Sequence, residues 1–253
     1  MEVLRRDFLV PDLEAALHAS GLGGAVTVQA RHAIEETHWL LGLQRETPMM
    51  LGVVGWVPLA APDVRRHLDE LAAYPGLKGV RHVLHDEPDD FYVLRDDFNR
   101  GLSLLGEYRL AYDLLIFERH LPQTIDCVDQ HPNQVFVLDH IAKPRIRERL
   151  LSPWCEQMRE LAKRQNVYCK LSGMVTEASW NGWTYGDLKP FFDAVLEAFG
   201  PRRLMFGSDW PVVLLAASHE GWVETVRRAV SALSADEQAK IWGGTAREAY
   251  GLS

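Results

Sequence analysis

The stretches VFVLDHIAKP (135–144) and RLMFGSDWPV (203–212) decide the reading of this chain. Each is a short apolar run that closes on an ionisable residue, His140 in the first and Asp209 in the second, and each is stopped by a proline, Pro144 and Pro211. Runs of this length, rich in β-branched and aromatic residues, read as strands buried on both faces, as in a parallel sheet. A charged group at the carboxyl end of such a strand is costly to bury without a partner. In barrels of parallel strands that end carries the active site. The two stretches together predict an enzyme in which a histidine and an aspartate face one pocket.

Outward from these stretches, strand and helix patterns alternate. Strands are expected at 24–30, 49–59, 76–85, 110–117, 134–140, 166–173 and 203–209. Amphipathic helices are expected at 11–20, 34–46, 63–74, 98–108, 120–131, 154–165 and 185–199, with two more around 219–232 and 235–249. Strict βα alternation implies a parallel sheet with right-handed crossovers. With 253 residues in one domain, 1–253, it favours a TIM-like (β/α)8 barrel over an open doubly wound sheet. No GxGxxG follows the first strand, so a dinucleotide fold has little support. Seven strands are one short of a closed barrel, and the chain opens on a helix. The expectation is therefore that the first barrel strand belongs upstream of Met1, leaving a gap between 24–30 and 203–209 and an opened or partly collapsed mouth.

Side-chain alternation assigns the faces. With Asp209 inward, Gly207 and Met205 follow. With His140 inward, Leu138 and Phe136 follow, and Asp139 is expected on the helix side. On 166–173, Tyr168, Lys170 and Ser172 share a face opposite the apolar Val167, Cys169 and Leu171, which puts Lys170 in the barrel interior, paired with a carboxylate or used. Arg81 and His82 end another strand, and only one of them can face the lumen; either suits an anionic or hydroxyl-rich ligand. Gln29 closes the first strand and can bind a polar substrate. Trp180 and Trp183, in the loop SWNGWTYGD (179–187), offer a platform for a sugar ring or else pack the loop onto the barrel. His85, His120 and His219 fall in loops and are given no role.

The remaining composition excludes several classes. Net charge is −8, which argues against nucleic-acid or anionic-membrane partners. Cys127, Cys155 and Cys169 have neither disulfide nor zinc-type spacing. No run is long enough for a signal peptide or a bilayer span, which fits a cytoplasmic protein.

FVLDHIAKP, NVYCKLSGMVTEASW, LMFGSDWPVVLLAAS and the terminal IWGGTAREAYGL resemble the sugar-lactone hydrolase branch of the amidohydrolase-related family, and the likeness runs from VTVQARHAIEETHWLL (26–41) onward. The resemblance implies an amidohydrolase barrel in which Asp209 matches the last-strand aspartate that activates water and His140 matches the sixth-strand histidine. The family normally begins with a strand ending in Asp-x-His-x-His, which this chain lacks. In relatives those histidines are metal ligands or carbonyl-binding groups. Lys78 lies at the start of its strand and LAYDLLIF (110–117) holds no histidine, so a two-metal site is not expected. The resemblance implies either one divalent ion such as zinc, held by an upstream histidine pair, His140 or Asp209, or no cofactor.

The expected partner is a small-molecule lactone. Asp209 takes a proton from water, hydroxide attacks the carbonyl, and His140 with Lys170 or Arg81 steadies the oxyanion. Two alternatives stand beside this reading: a metal-dependent decarboxylase of the same superfamily, and a truncated barrel without catalytic activity.

Overall fold

The computed structural model describes residues 1–252. Seven parallel strands lie side by side in sequence order. They are β1 (Ala25–Val28), β2 (Met50–Gly55), β3 (Leu77–Val83), β4 (Ala111–Leu115), β5 (Phe136–Leu138), β6 (Val167–Leu171) and β7 (Leu204–Phe206). The helices are α1 (Val10–Ser20), α2 (Ile34–Glu46), α3 (Val64–Leu71), α4 (Asp96–Leu102), α5 (Leu121–Gln130), α6 (Trp154–Leu161), α7 (Met174–Glu177), α8 (Tyr185–Phe199), α9 (His219–Ala229), α10 (Ala235–Ala239) and α11 (Thr245–Tyr250). The sheet curls into a half-barrel, a TIM-like (β/α) barrel one strand short. Among the described residues, β1 and β7 are its two ends and do not pair, so the expected seam is present. On that side, elements before β1 meet elements after β7. Phe8 lies edge-on to Trp210 at 5.3 Å between ring centres, and Ser20 Oγ is 2.6 Å from His219 Nδ1, which ties α1 to α9.

Two cores follow from strand alternation. Outside the sheet, a large cluster packs strands on helices and includes Phe136, Leu138, Trp154, Phe191, Phe192 and Trp222. Helix α8 shows how sequence builds it. Leu188, Phe191, Phe192, Val195 and Phe199 recur at the helical period and are all buried, each contributing about 1.5–3 kcal/mol on leaving water. Its start is fixed by a capping box between Thr184 and Asp187. Inside the curl, Val54, Ala111, Val137 and Met205 meet Ala249 and Tyr250 of α11. The carboxyl-terminal helix therefore supplies part of the barrel's inner packing.

The expected facing of β5 is reversed. Val137 points inward, while Phe136 and Leu138 join the outer core. Asp139 accordingly faces the interior and not the helix side. The strand also ends at Leu138, two residues before the expected end at 140. Two expected helices are interrupted. The 98–108 segment ends its α-turns at Leu102 and continues as a 3-10 turn at Leu105–Tyr108. The 235–249 segment is split by a π-turn at Lys240–Gly244.

Helix α4 approaches a loop through Gly101, where an added Cβ would stand 2.1 Å from the Leu59 carbonyl oxygen. Neither backbone can yield without moving the buried Leu59 or Phe98. Gly101→Ala should lower the unfolding free energy by about 3 kcal/mol in urea titrations, with the m-value unchanged.

Candidate active site

Above the apolar inner layer lies a layer of buried charge. Lys170, projecting inward from β6, places its Nζ 2.6 Å from Asp113 Oδ2 and 2.6 Å from Asp139 Oδ1. Arg81, from β3, reaches Asp139 Oδ2 with Nη1 at 2.8 Å. The Tyr250 hydroxyl donates to the Asp113 carboxylate, 2.9 Å from Oδ1 and 2.8 Å from Oδ2. Two cations thus face two carboxylates, and the layer is neutral when all are ionised. Burial alone would push the Lys170 ammonium down, but the two carboxylates hold it well above its usual range. Burial likewise opposes ionisation of Asp139, and Lys170 and Arg81 overcome it, keeping that carboxyl below its ordinary value. Asp113 has Lys170 alone as its cation and Asp139 as a neighbouring negative charge, and burial raises it.

After β5 the backbone enters a left-handed turn. His140, Ile141, Ala142 and Lys143 all have positive φ, 52°, 48°, 61° and 48°. For residues other than glycine this conformation costs about 1–2 kcal/mol each. The turn breaks strand alternation, and so Asp139 and the adjacent His140 both serve the barrel mouth. Asp139 enters the ion layer, and His140 stands above it. Gly173 makes room for the imidazole: its φ is +64°, and a Cβ there would lie 2.6 Å from His140 Cβ.

His140 Nδ1 is 2.8 Å from Ser172 Oγ, and its Nε2 is 3.6 Å from Asp209 Oδ1. Burial pushes the imidazole below its usual value, so it is neutral near pH 7. A lone pair aimed at the Asp209 carboxylate would be repelled. The proton therefore sits on Nε2, and Nδ1 accepts from the Ser172 hydroxyl. Asp209 is itself held at φ 55°. The side chains of His140 and Asp209 retain 11% and 15% exposure and stand outside the ion layer; Lys170 and Arg81 retain 11% each, but their charges are paired with Asp113 and Asp139.

The other expected residues take different places. Gln29 is fully buried; its amide donates to the Arg81 carbonyl and its oxygens accept from the Arg81 guanidinium, so it braces Arg81 from behind. Arg81 takes the lumen side, as only one of the pair could. His82 turns to the outer core, stacked on Tyr92 at 5.0 Å. Trp183 donates to the Ala216 carbonyl at 2.8 Å and packs its loop on the barrel. Trp180 donates to Thr176 and lines a cleft of about 500 Å3 with Phe117, Lys143, Arg145, Arg147 and Thr176. That cleft adjoins the left-handed turn but is lined by neither His140 nor Asp209. His85, given no role from sequence, stacks on Phe117 at 4.7 Å. Burial, together with the charges of Lys143 and Arg81, lowers it to about 4, so it stays neutral. Asp113, Asp139, Ser172 and Tyr250 were not singled out as functional. The signal for the first was available: LAYDLLIF (110–117) is another apolar run with one charge inside it.

His32, His82 and Glu87 bring three ligand atoms within 4.8 Å of one another. Their lone pairs are already committed. Trp56 Nε1 donates to His82 Nδ1 at 3.2 Å, which puts the His82 proton on Nε2, 2.6 Å from Glu87 Oε1. The Val83 amide donates to His32 Nε2 at 2.8 Å. A ligating histidine donates its second nitrogen and does not accept there. The trio as arranged is a hydrogen-bonded stack.

A profile described as Amidohydrolase matches residues 2–252. The chain belongs to the amidohydrolase family. It is 44% identical over 263 residues to an L-fucono-1,5-lactonase of Burkholderia multivorans, covering 100% of this chain and 88% of that protein. It is 35% identical to an L-fucono-1,5-lactonase of Burkholderia ambifaria, covering 99% and 87%. A crystal structure of an amidohydrolase from Burkholderia multivorans with bound zinc superposes with a TM-score of 0.95 at 43% identity, covering 100% of this chain and 92% of that one.

In this amidohydrolase the ion layer is the most exacting part of the interior. Lys170→Met would leave two buried carboxylates facing one guanidinium, at a cost of about 3–5 kcal/mol. The pH dependence has a definite sign. Wild-type Asp139 lies below its ordinary 3.8, so its contribution is present above that pH and is lost on acidification. Without Lys170, Asp113 rises further above 3.8, and a carboxyl raised in the folded state favours folding when protonated. The deficit of Lys170→Met should therefore shrink in urea titrations as pH falls from about 7.5 to about 5.

Proposed function

We propose that this amidohydrolase opens a small sugar-derived lactone to its hydroxy acid, with Asp209 and His140 as the acid–base pair. The observation that carries the reading is the placement of the two side chains. They are the partly exposed ionisable groups after β5 and β7 that the ion layer does not take up, and they lie 3.6 Å apart. The names of the two Burkholderia lactonases support the class of substrate and favour ring opening over decarboxylation.

The residues divide the work as follows. Asp209 accepts a proton from water, and the hydroxide oxygen attacks the lactone carbonyl carbon. The Nε2–H of neutral His140 donates to the carbonyl oxygen as it gains charge. When the tetrahedral intermediate collapses, the ring C–O bond breaks and the proton held by Asp209 passes to the leaving alkoxide. The product is the open hydroxy acid, and Asp209 is again a carboxylate. Lys170 and Arg81 act from behind. Their charges are spent on Asp113 and Asp139, and they hold the floor on which His140 stands. The aromatic cleft beside Trp180 is placed to take the polyhydroxy part of a substrate.

The bound zinc of the Burkholderia multivorans structure raises the question of a metal here. A catalytic zinc takes three protein ligands and keeps one position open, where it lowers the pKa of a bound water. His140 Nε2 and Asp209 Oδ1 supply two donors, and among the described residues no third His, Cys, Asp or Glu atom converges on them. These residues alone do not fit a resident zinc, and none of the steps above depends on one.

A pH-indicator screen of aldono-1,4- and 1,5-lactones identifies the substrate. Asp209→Asn should keep the fold and lower kcat by about 10²–10⁴. His140→Asn should lower kcat by about 10²–10³ through loss of the oxyanion donor. Near-wild-type turnover in either variant would remove that residue from the mechanism.

A further inference from the structure

The turn that carries His140 is held from outside the barrel. Trp154, the first residue of α6, is fully buried, and its indole nitrogen donates to the Ile141 carbonyl at 2.8 Å. Ile141 is the middle of the left-handed run and is β-branched, the residue type least suited to positive φ. The two ends of the run are fixed independently. Asp139 is bound by Lys170 and Arg81, and Lys143 is bound to Glu177. The turn closes on itself through the Lys143 amide and the His140 carbonyl at 2.8 Å. At the centre, Ile141 and Ala142 are buried in the outer core, and the indole bond is the side-chain N–H that fixes the Ile141 carbonyl among the described residues. Phe191 packs on the same indole at 5.2 Å, so the ring cannot move away from its acceptor.

We infer that Trp154 is a positioning residue for the reaction: its N–H keeps the left-handed turn in a conformation the sequence disfavours, and that conformation aims His140 at Asp209. The inference rests on the catalytic reading of His140 above. Without the indole N–H, the nearest relaxation is a return of Ile141 and Ala142 to negative φ, which swings His140 off the line to Asp209. Acid–base geometry is sensitive to such a change, since a displacement of about 1 Å can cost about 10²-fold in rate.

Trp154→Phe keeps most of the ring and removes the donor. The expected result is a folded enzyme with kcat lowered about 10- to 100-fold and KM unchanged within about twofold. Its crystal structure should show His140 displaced from Asp209. Ala142→Gly in the same background should restore much of the lost kcat, because glycine holds positive φ without strain. A variant that merely loosened packing would show no such rescue. Unchanged kcat in Trp154→Phe, a fall in kcat with His140 still in place, or no rescue by glycine would each overturn the inference. Should Trp154→Phe fail to fold, Ala142→Gly alone decides the matter. Relief of a strained turn should raise Tm by about 2–4 °C, and an unchanged or lower Tm would overturn it. The inference and the catalytic reading fail separately: His140→Asn tests the reading by turnover, while ring position and Tm test the turn with or without activity.

Discussion

The ammonium of Lys170 between the carboxylates of Asp113 and Asp139 is the constraint around which this half-barrel is arranged. A lysine on an inward face cannot remain there charged and alone, and two aspartates on neighbouring strands cannot share the same space without it. The pairing therefore fixes which face of β4, β5 and β6 turns inward. Arg81 balances the second carboxylate, and Gln29 holds Arg81 from β1's side. Five of the seven strands, or the residues directly after them, are thus linked across the interior to Trp154's turn or to the ion layer, and the apolar layer below has only to fill volume.

The same arrangement explains how one short strand serves both structure and chemistry. Asp139 and His140 are adjacent, and in continued β geometry they would face opposite sides. The left-handed turn brings both to the mouth, one into the buried layer and one above it. A turn of four non-glycine residues at positive φ is expensive. It is found where an ion pair, an indole and a lysine–glutamate contact hold it on three sides. Asp209, at the end of β7, shares the same unusual backbone region.

Much of this was legible in the amino-acid sequence. Seven strands, their order and the open seam follow from the βα alternation, since each apolar run can be buried only between helices. The inward face of Lys170 was readable because β6 is regular and its other face is wholly apolar. The facing of β5 was not, because period-two reasoning was carried two residues past the strand's end into a turn that no glycine marks. Asp139 was missed for that reason. Asp113 was missed although its setting, a single charge in an apolar run, is the setting that identified His140 and Asp209. The role of Gln29 depends on the length of Arg81's side chain reaching across the curl, which no local pattern encodes. Trp183 and Trp180 were equally eligible for a platform or for packing, and the hydrogen bond to Ala216 assigns Trp183 to packing.

Tyr250, in α11, is 137 residues from Asp113 in the sequence, yet its hydroxyl is bonded to that carboxylate inside the sheet's curl. Protein synthesis runs from the amino end, so all seven strands are made before α11. Until that helix docks, the Asp113 carboxylate lacks its phenol partner and the apolar layer inside the curl lacks Ala249. The sheet can therefore pair before its charged floor is complete, and the docking of α11 joins an assembled sheet to a centre laid down well before it in the sequence.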